Sequence, residues 1–143
     1  MILPDTNVYV RAFMSDAPGH ELARDWLEVA LSADEPIALY MPIVTAFVRV
    51  TTNPNIWKTP VPRKAIWQFV ETLQTGNVVW IAPTPAYWQM FQDLAEKTRA
   101  VGGWMTDVSY AALAIEHDCR VATFDRGFRR IPGVRSFTPG ESA

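Results

Sequence analysis

The sequence predicts an α/β domain of three layers, in which helices cover both faces of a mostly parallel central sheet. Short apolar runs of strand length alternate with longer segments whose apolar residues recur at helical spacing. Strands that alternate with helices pair in parallel, because each helix carries the chain back along the sheet. The length of 143 residues fits one domain, residues 1–143.

The predicted strands are short apolar runs bounded by glycine, proline or polar residues. In chain order they are residues 2–3, 37–41, 78–81, 121–124 and 134–137. Each is separated from the next by at least one helical segment, except the last two. Most neighbouring strands are therefore expected to run in the same direction.

The predicted helices are amphipathic segments with recognisable starts and stops. Pro42 suits the first turn of one helix, Thr84 and Pro85 open another, and Thr106 is a capping residue before Asp107. The six helices are the run after Asp5, residues 20–33, the run from residue 42 to the stop at 52–54, and residues 63–74, 84–98 and 107–117. The helix after Asp107 is rich in alanine, which suits close packing on a sheet.

Composition limits the chemistry. Apolar residues make up 49% of the chain and charged residues 20%, as in a folded domain. Cys119 is the only cysteine, so an intrachain disulfide is excluded, and with two histidines a structural zinc site is implausible. A bound metal would need oxygen ligands, which favours Mg²⁺ or Mn²⁺.

Charge and hydropathy narrow the partners and the location. The formal net charge is −2, so contact with nucleic acid would need a local basic patch. No apolar stretch approaches the length of a membrane span, and no basic leader precedes Asp5. We therefore expect a cytoplasmic protein with no membrane partner.

Three aspartates lie where a strand ends or a helix begins. Asp5 and Asp125 follow predicted strands, and Asp107 opens the helix that leads into the strand at residue 121. The carboxyl ends of parallel strands share one edge of a sheet, which is where ligand sites form in α/β folds. The helix that begins at Pro42 starts at the same edge, with Ala46 one turn in. Carboxylates that converge repel one another, so the arrangement predicts a metal ion.

A simpler alternative remains for each aspartate. Aspartate is common at helix starts and in turns, where its carboxylate caps backbone N–H groups. A second alternative concerns Asp5, because an aspartate after the first strand of an α/β domain also serves as the phosphorylated nucleophile of phosphotransferases. That chemistry usually needs a second acid two residues later, where this chain has Asn7.

Four segments in order match a known pattern: LPDTN at 3–7, FVRVTTNP at 47–54, TD at 106–107 with AALAIEH at 111–117, and ATFDRGF at 122–128 followed by IPG at 131–133. On these residues the chain resembles PIN-domain ribonucleases, specifically the VapC-type toxins of bacterial toxin–antitoxin pairs, over nearly its whole length. The resemblance implies a PIN-like α/β/α fold and metal-dependent cleavage of RNA.

The resemblance also implies roles. Asp5, Asp107 and Asp125 match the catalytic, metal-binding acids. Asp5 and Asp107 would hold Mg²⁺ or Mn²⁺ directly, and Asp125 would bind a second ion or orient a water that the metal activates for attack on phosphorus. Side chains that could hydrogen-bond these carboxylates or waters are Thr6, Asn7 and Thr123.

Two positions depart from the pattern. Many relatives carry glutamate at Ala46 and a further acid at Gly127, although some related sequences with a similar motif also lack the glutamate. The site then works with three acids and one ion, or is weak, or the chain has become a PIN-like binding protein without catalysis.

Candidate substrate-binding residues are Arg49, Trp104 and Arg126. Arg126 belongs to a cluster with Arg129, Arg130 and Arg135 that could hold phosphates or be a solvated charged face. By resemblance, the partners are RNA, an antitoxin protein and a second copy of the chain. The chain has six tryptophans, and candidate contacts among them are Trp57, Trp67 and Trp88.

Overall fold

The structure is a computed structural model that describes residues 1–141. The strands within this range are β1 (Ile2–Pro4), β2 (Ile37–Leu39), β3 (Val78–Trp80), β4 (Arg120–Ala122) and β5 (Arg135–Phe137). They form a sheet in the order β3-β2-β1-β4-β5, and every neighbouring pair is parallel. The predicted parallel sheet is confirmed. The predicted domain end at Ala143 lies outside the described residues.

The helices are α1 (Thr6–Phe13), α2 (His20–Leu31), α3 (Met41–Thr51), α4 (Arg63–Leu73), α5 (Tyr87–Thr98) and α6 (Gly103–Glu116), with a 3₁₀ helix at Arg126–Arg130. Helix α1 packs on α2 and α3, and α3 packs on α4, while α5 packs on α6. The two groups of helices and the sheet between them make the predicted three-layer α/β/α fold. Within residues 1–141, none of the helices has both the length and the apolar character needed to cross a bilayer.

The central strands are buried on both faces. Leu3, Ile37 and Ala122 have no exposed surface, and Val121 is 1% exposed. Strands covered by helices on both sides are apolar along their whole length, which explains the continuous apolar runs in the sequence. Strands β3 and β5 form the edges of the sheet and are partly exposed.

Two predicted helix starts are wrong. Helix α6 begins at Gly103, because Gly102 has a φ of 56° and ψ of −131° and turns the chain just before it. Thr106 is therefore not a cap, and Asp107 lies in the second turn. Helix α5 begins at Tyr87 and not at residue 84, because Thr84 hydrogen-bonds through its backbone N–H and its hydroxyl to Glu116 on α6.

Three predicted strands end earlier than expected, and in β3 the difference is a single residue, since this strand stops at Trp80. Strand β2 stops at Leu39 because Tyr40 is already the N-cap of α3, which has Pro42 in its first turn as predicted. Strand β4 stops at Ala122, so Thr123 and Phe124 lie beyond the ladder. This early end releases Thr123 to bond side chains at the edge of the sheet.

Candidate metal centre

Strands β1 and β4 bring two of the predicted acids to one edge of the sheet. The two strands are neighbours, with Pro4 opposite Ala122. The backbone N–H of Asp5 donates to the carbonyl of Ala122 at 2.9 Å. Asp5 and the segment that leads to Asp125 therefore leave the sheet side by side, as the strand order predicted.

A cavity of about 410 Å³ opens at this edge of the sheet. All three predicted acids line it, together with residues from α3 and α6. Its lining includes Asp5, Asp107, Asp125, Ala46, Arg49 and Tyr110. The four segments that were expected to converge, β1–α1, α3, α6 and the segment after β4, thus meet around one space, which we call the acid cavity.

Asp5 is held in place by hydrogen bonds to both carboxylate oxygens. Oδ1 accepts from the backbone N–H of Thr6 at 2.7 Å, which makes Asp5 the N-cap of α1. Oδ2 accepts from Asn7 Nδ2 at 2.7 Å and from the Thr123 hydroxyl at 2.8 Å. Asp5 is 7% exposed, and this burial raises its pKa, while the bonds from Thr123 and Thr6 oppose the rise and the charge of Asp125 adds to it.

Asp107 has a different environment. Its carboxylate lines the acid cavity from the second turn of α6. Within residues 1–141 this carboxylate accepts no hydrogen bond. The pKa of Asp107 is raised to about 6, mainly by burial and then by the charges of Asp5 and Asp125. Asp107 is thus a carboxylate whose negative charge lacks a compensating partner.

Asp125 is the N-cap of the 3₁₀ helix. Its Oδ1 accepts from the backbone N–H of Gly127 at 2.7 Å, and its own backbone N–H donates to the Thr123 hydroxyl at 3.0 Å. The capping alternative is therefore correct for Asp5 and Asp125 as a description of local structure. It does not exclude a metal role, because within residues 1–141 the second oxygen of Asp125 and the whole carboxylate of Asp107 accept no such bonds.

The three predicted supporting residues behave differently. Asn7 Nδ2 bridges Asp5 and the Thr123 hydroxyl, the latter at 3.1 Å, and Asn7 Oδ1 accepts from the backbone N–H of Phe124 at 3.1 Å. Asn7 and Thr123 therefore tie β1–α1 to the segment after β4. Thr6 donates its backbone N–H to Asp5, and within residues 1–141 its buried hydroxyl makes no hydrogen bond to the three acids.

The oxygen-only donor set fits a hard cation. Among residues 1–141 no three histidine, cysteine, aspartate or glutamate side chains lie close enough to form a ready-made cage. Mg²⁺ rarely uses such a cage, because it keeps several waters and takes one or two carboxylates together with substrate phosphates. The acid cavity offers two such carboxylates: Asp5, which is held by hydrogen bonds, and Asp107, which accepts none within residues 1–141.

The predicted substrate-binding residues separate. Arg49 is exposed and lines the acid cavity. Trp104 lines a neighbouring cavity with Arg130, and Arg126 is exposed and lines neither. The expected arginine cluster is also divided: Arg129 pairs with Glu141 at 2.8 Å, and Arg135 pairs with Asp118 beyond the amino end of β4.

Tyr110 is a cavity residue that the sequence analysis missed. It is 7% exposed, and its ring meets that of Tyr40 edge to face, with centroids 6.1 Å apart. The available signal was its spacing, because a residue three positions after Asp107 on one helix lies on the same face.

Comparison with known proteins places this fold and cavity in a family. The model of the PIN domain family matches residues 2–134. The chain is 33% identical to ribonuclease VapC25 of Mycobacterium tuberculosis over 140 residues, which cover 97% of this chain and 99% of that protein. It is also 33% identical to ribonuclease VapC31 of the same species over 141 residues, with the same coverage.

A solved structure agrees in fold. The crystal structure of VapBC2 from Rickettsia felis, bound to a DNA fragment from their promoter, superposes with a TM-score of 0.71 at 17% identity, covering 96% of this chain and 98% of that chain. The family model matches most of the chain, and the relatives align over nearly all of it. The chain therefore belongs to the PIN domain family.

Proposed function

We propose that this chain is a divalent-metal-dependent RNA endonuclease and the toxin of a toxin–antitoxin pair. The observation that carries the proposal is the acid cavity, in which Asp5, Asp107 and Asp125 meet at the carboxyl edge of the sheet. Two of its relatives are named ribonucleases, which supports RNA as the substrate. Carboxylates that share a cavity repel one another and favour a bound cation, and a divalent ion beside the phosphate would promote its hydrolysis.

Asp5 and Asp107 are the residues that would hold Mg²⁺ or Mn²⁺, and Asp125 would hold a second ion or orient a water. When bound, such an ion would stabilise the charge that develops on the phosphate and would lower the pKa of a water, so that this water loses a proton and attacks phosphorus near neutral pH. Asn7 and Thr123 keep the Asp5 carboxylate in one orientation, because each donates a hydrogen bond to Oδ2. Asp107 supplies the least compensated negative charge.

Arg49 is proposed to bind the RNA backbone. It is exposed at the rim of the acid cavity and makes no ion pair within residues 1–141. A guanidinium group matches the geometry of a phosphate and forms paired hydrogen bonds with it. From this position Arg49 would hold a phosphate against the acids despite the net charge of −2.

The proposed partners are an antitoxin protein and a second copy of the chain, acting in the cytoplasm. The VapBC2 structure is of a toxin with its antitoxin, which supports a partner of this kind. Trp67 and Trp88 are 47% and 63% exposed and are available as contacts. Trp57 is half-buried and donates its indole N–H to Val50, so it is the weakest of the three candidates.

A second candidate function is RNA binding without cleavage. Ala46 favours it, because this residue lines the acid cavity and leaves it one acid short of many relatives. The two functions differ in one measurable respect. A binder retains RNA without producing new ends, whereas a nuclease generates them only when a divalent ion is present.

The experiment has two parts. Expression of the chain is expected to arrest growth, and Asp5→Asn or Asp107→Asn is expected to abolish the arrest. The purified chain is expected to cut RNA with Mg²⁺ and not with a chelator, and the Asp107→Asn protein is expected to leave the RNA intact. Arrest that persists in both variants contradicts the toxin proposal, and intact RNA with every divalent ion tried favours the binder.

A further inference from the structure

A second cavity lies beside the acid cavity and differs from it in charge. It measures about 500 Å³ and is lined by Lys97, Thr98, Trp104 and Arg130. Two of these residues are cationic, one carries a hydroxyl, and none is acidic. Cavities of this volume are within the range that holds small ligands.

Helix α6 and the 3₁₀ helix with its N-cap Asp125 contribute residues to both cavities and bring them close together. Trp104 precedes Asp107 by three positions on α6, so the two side chains lie on the same side of that helix. Trp104 also lies against Gly127, whose backbone N–H donates to Asp125. Its indole is therefore adjacent to two of the three acids.

Position 127 requires glycine because of its close contact with Trp104 and Asp125, and not because of its backbone conformation. Its φ lies outside the left-handed region, so other residues could adopt its conformation. A Cβ at this position would lie 2.9 Å from Asp125 Oδ1, so that this carboxylate would have to shift, and 3.1 Å from Trp104 Cζ3, which is a tight contact. The glycine thus lets the indole approach the Asp125 turn.

The cations beside the indole are available to a ligand. Arg130 and Lys97 are exposed, and neither forms an ion pair within residues 1–141. The Arg130 guanidinium lies 5.3 Å from the centre of the Trp104 ring. That distance is inside the limit of about 6 Å for cation–π attraction. Because Arg130 is exposed, its side chain can turn toward an anion and leave the ring to a flat ligand.

We propose that this cavity binds one unpaired nucleotide of the RNA, with its base against the indole of Trp104 and its phosphate between Lys97 and Arg130. We call it the Trp104 subsite. An aromatic ring flanked by cations is the arrangement that holds single-stranded nucleic acid, because the ring stacks on any base and the cations follow the backbone. The proposal rests on the proposed function, because it places this nucleotide next to the phosphate that meets the acids.

Binding of single-stranded RNA tests the subsite apart from cleavage. The probe is a labelled RNA of mixed sequence, and the chain carries Asp107→Asn so that the probe is not consumed. Trp104→Ala is expected to weaken binding about tenfold, as loss of one base stack does, while Trp104→Phe keeps most of the affinity. Trp80→Ala, at another exposed tryptophan to which no binding role is assigned, is the matched control and is expected to change nothing.

Two further readouts separate stacking from a merely structural effect of Trp104. A set of probes with one abasic position moved along the RNA is expected to show one position at which the missing base weakens binding to the parent chain but not to Trp104→Ala.

Lys97→Gln and Arg130→Gln are each expected to reduce the slope of log affinity against log salt by about 0.7, with Lys64→Gln as the control. Both cations are exposed, so these variants are expected to fold.

The outcomes are distinct. If Trp104→Ala binds RNA no worse than Trp80→Ala and the salt slopes match the control, the subsite is wrong whether or not the parent chain cleaves RNA. If binding depends on Trp104 but the chain with intact Asp107 cuts no RNA with any divalent ion, the subsite stands and the nuclease proposal fails.

Discussion

Asp5 and Asp107 are the same residue type in two contrasting environments. Asp5 receives three hydrogen bonds from its own chain, and these hold its carboxylate in a fixed position. Asp107 receives none within residues 1–141, and its pKa is raised to about 6. In the proposed metal site, Asp5 would be the ligand that is positioned in advance, and Asp107 would be the ligand that gains most from the cation.

Thr123 is expected to contribute strongly to stability for its size. Its hydroxyl donates to Asp5 and accepts from Asn7 and from the backbone N–H of Asp125. Thr123→Val is expected to lower the free energy of unfolding by about 2 kcal/mol, because a buried carboxylate loses a donor. Urea denaturation measures the change. In Thr52→Val, which loses bonds only to its own helix, the loss is expected to be about 0.5 kcal/mol or less.

Ala46→Glu tests the missing acid directly. Since Ala46 lines the acid cavity, the new carboxylate is expected to increase Mg²⁺ affinity and, without metal, to lower the melting temperature through repulsion. Titration calorimetry and thermal unfolding measure the two effects. Thr45→Glu adds the same charge at an exposed neighbour on α3, and equal Mg²⁺ affinity in both variants would show that Ala46 does not face the metal.

The start of α6 determines the geometry of the site at the level of elements. Because the helix begins at Gly103, it presents Trp104, Asp107 and Tyr110 on one side at intervals of three residues. The 3₁₀ helix after Asp125 packs against the first turn of α6 through Gly127. The relative position of these two elements thus fixes the distance between Asp107 and Asp125.

Two glycines near this contact allow a matched test. Gly127→Ala is expected to destabilise the chain by about 1–3 kcal/mol, because the added methyl group meets Asp125 and Trp104 and one of the two elements must shift. At Gly103 a Cβ would meet nothing within 4 Å, so Gly103→Ala is expected to be neutral or to stabilise by up to about 1 kcal/mol. Chemical denaturation of both variants decides. Similar losses in the two would contradict the proposed contact.

At the scale of the whole molecule, the fold gathers negative charge at one edge of the sheet. Parallel strands end there, and helices α1, α3 and α6 begin there. Helix N-termini carry partial positive charge and offset part of the repulsion between the acids. We expect the remaining repulsion to make the stability of the chain depend on pH and on divalent ions.

The pH dependence has a definite sign. The pKa of Asp107 rises from 3.8 to about 6 on folding, so its contribution to stability is complete below 3.8 and is lost as pH rises through 6. Without divalent ions, Asp107→Asn is therefore expected to melt above the parent chain at about pH 7 and together with it at about pH 4. Mg²⁺ at neutral pH is expected to raise the melting temperature of the parent chain only. Thermal unfolding of both chains across this pH range measures the effect. A difference in melting temperature between Asp107→Asn and the parent chain that stays constant with pH would contradict the prediction.

The sequence by itself determined the layers, the parallel sheet and the three acids. Alternating apolar runs and amphipathic segments carry this information locally, and parallel strands bring residues at their ends to one edge whatever the details of packing. The tryptophan and arginine candidates at the rim were harder to predict. Their positions depend on pairings with residues far along the chain, such as Arg135 with Asp118 and Arg129 with Glu141.

Tertiary structure alone decided where α6 begins, which oxygens of the acids are already bonded, and that Tyr110 and Ala46 share a cavity with them. It also placed Trp104 against Gly127, which no local pattern indicates. The physical reason is that these features arise from contacts between segments that meet only in the folded chain. Spacing in a sequence specifies the face of a helix or the end of a strand, but not which neighbour occupies the space opposite.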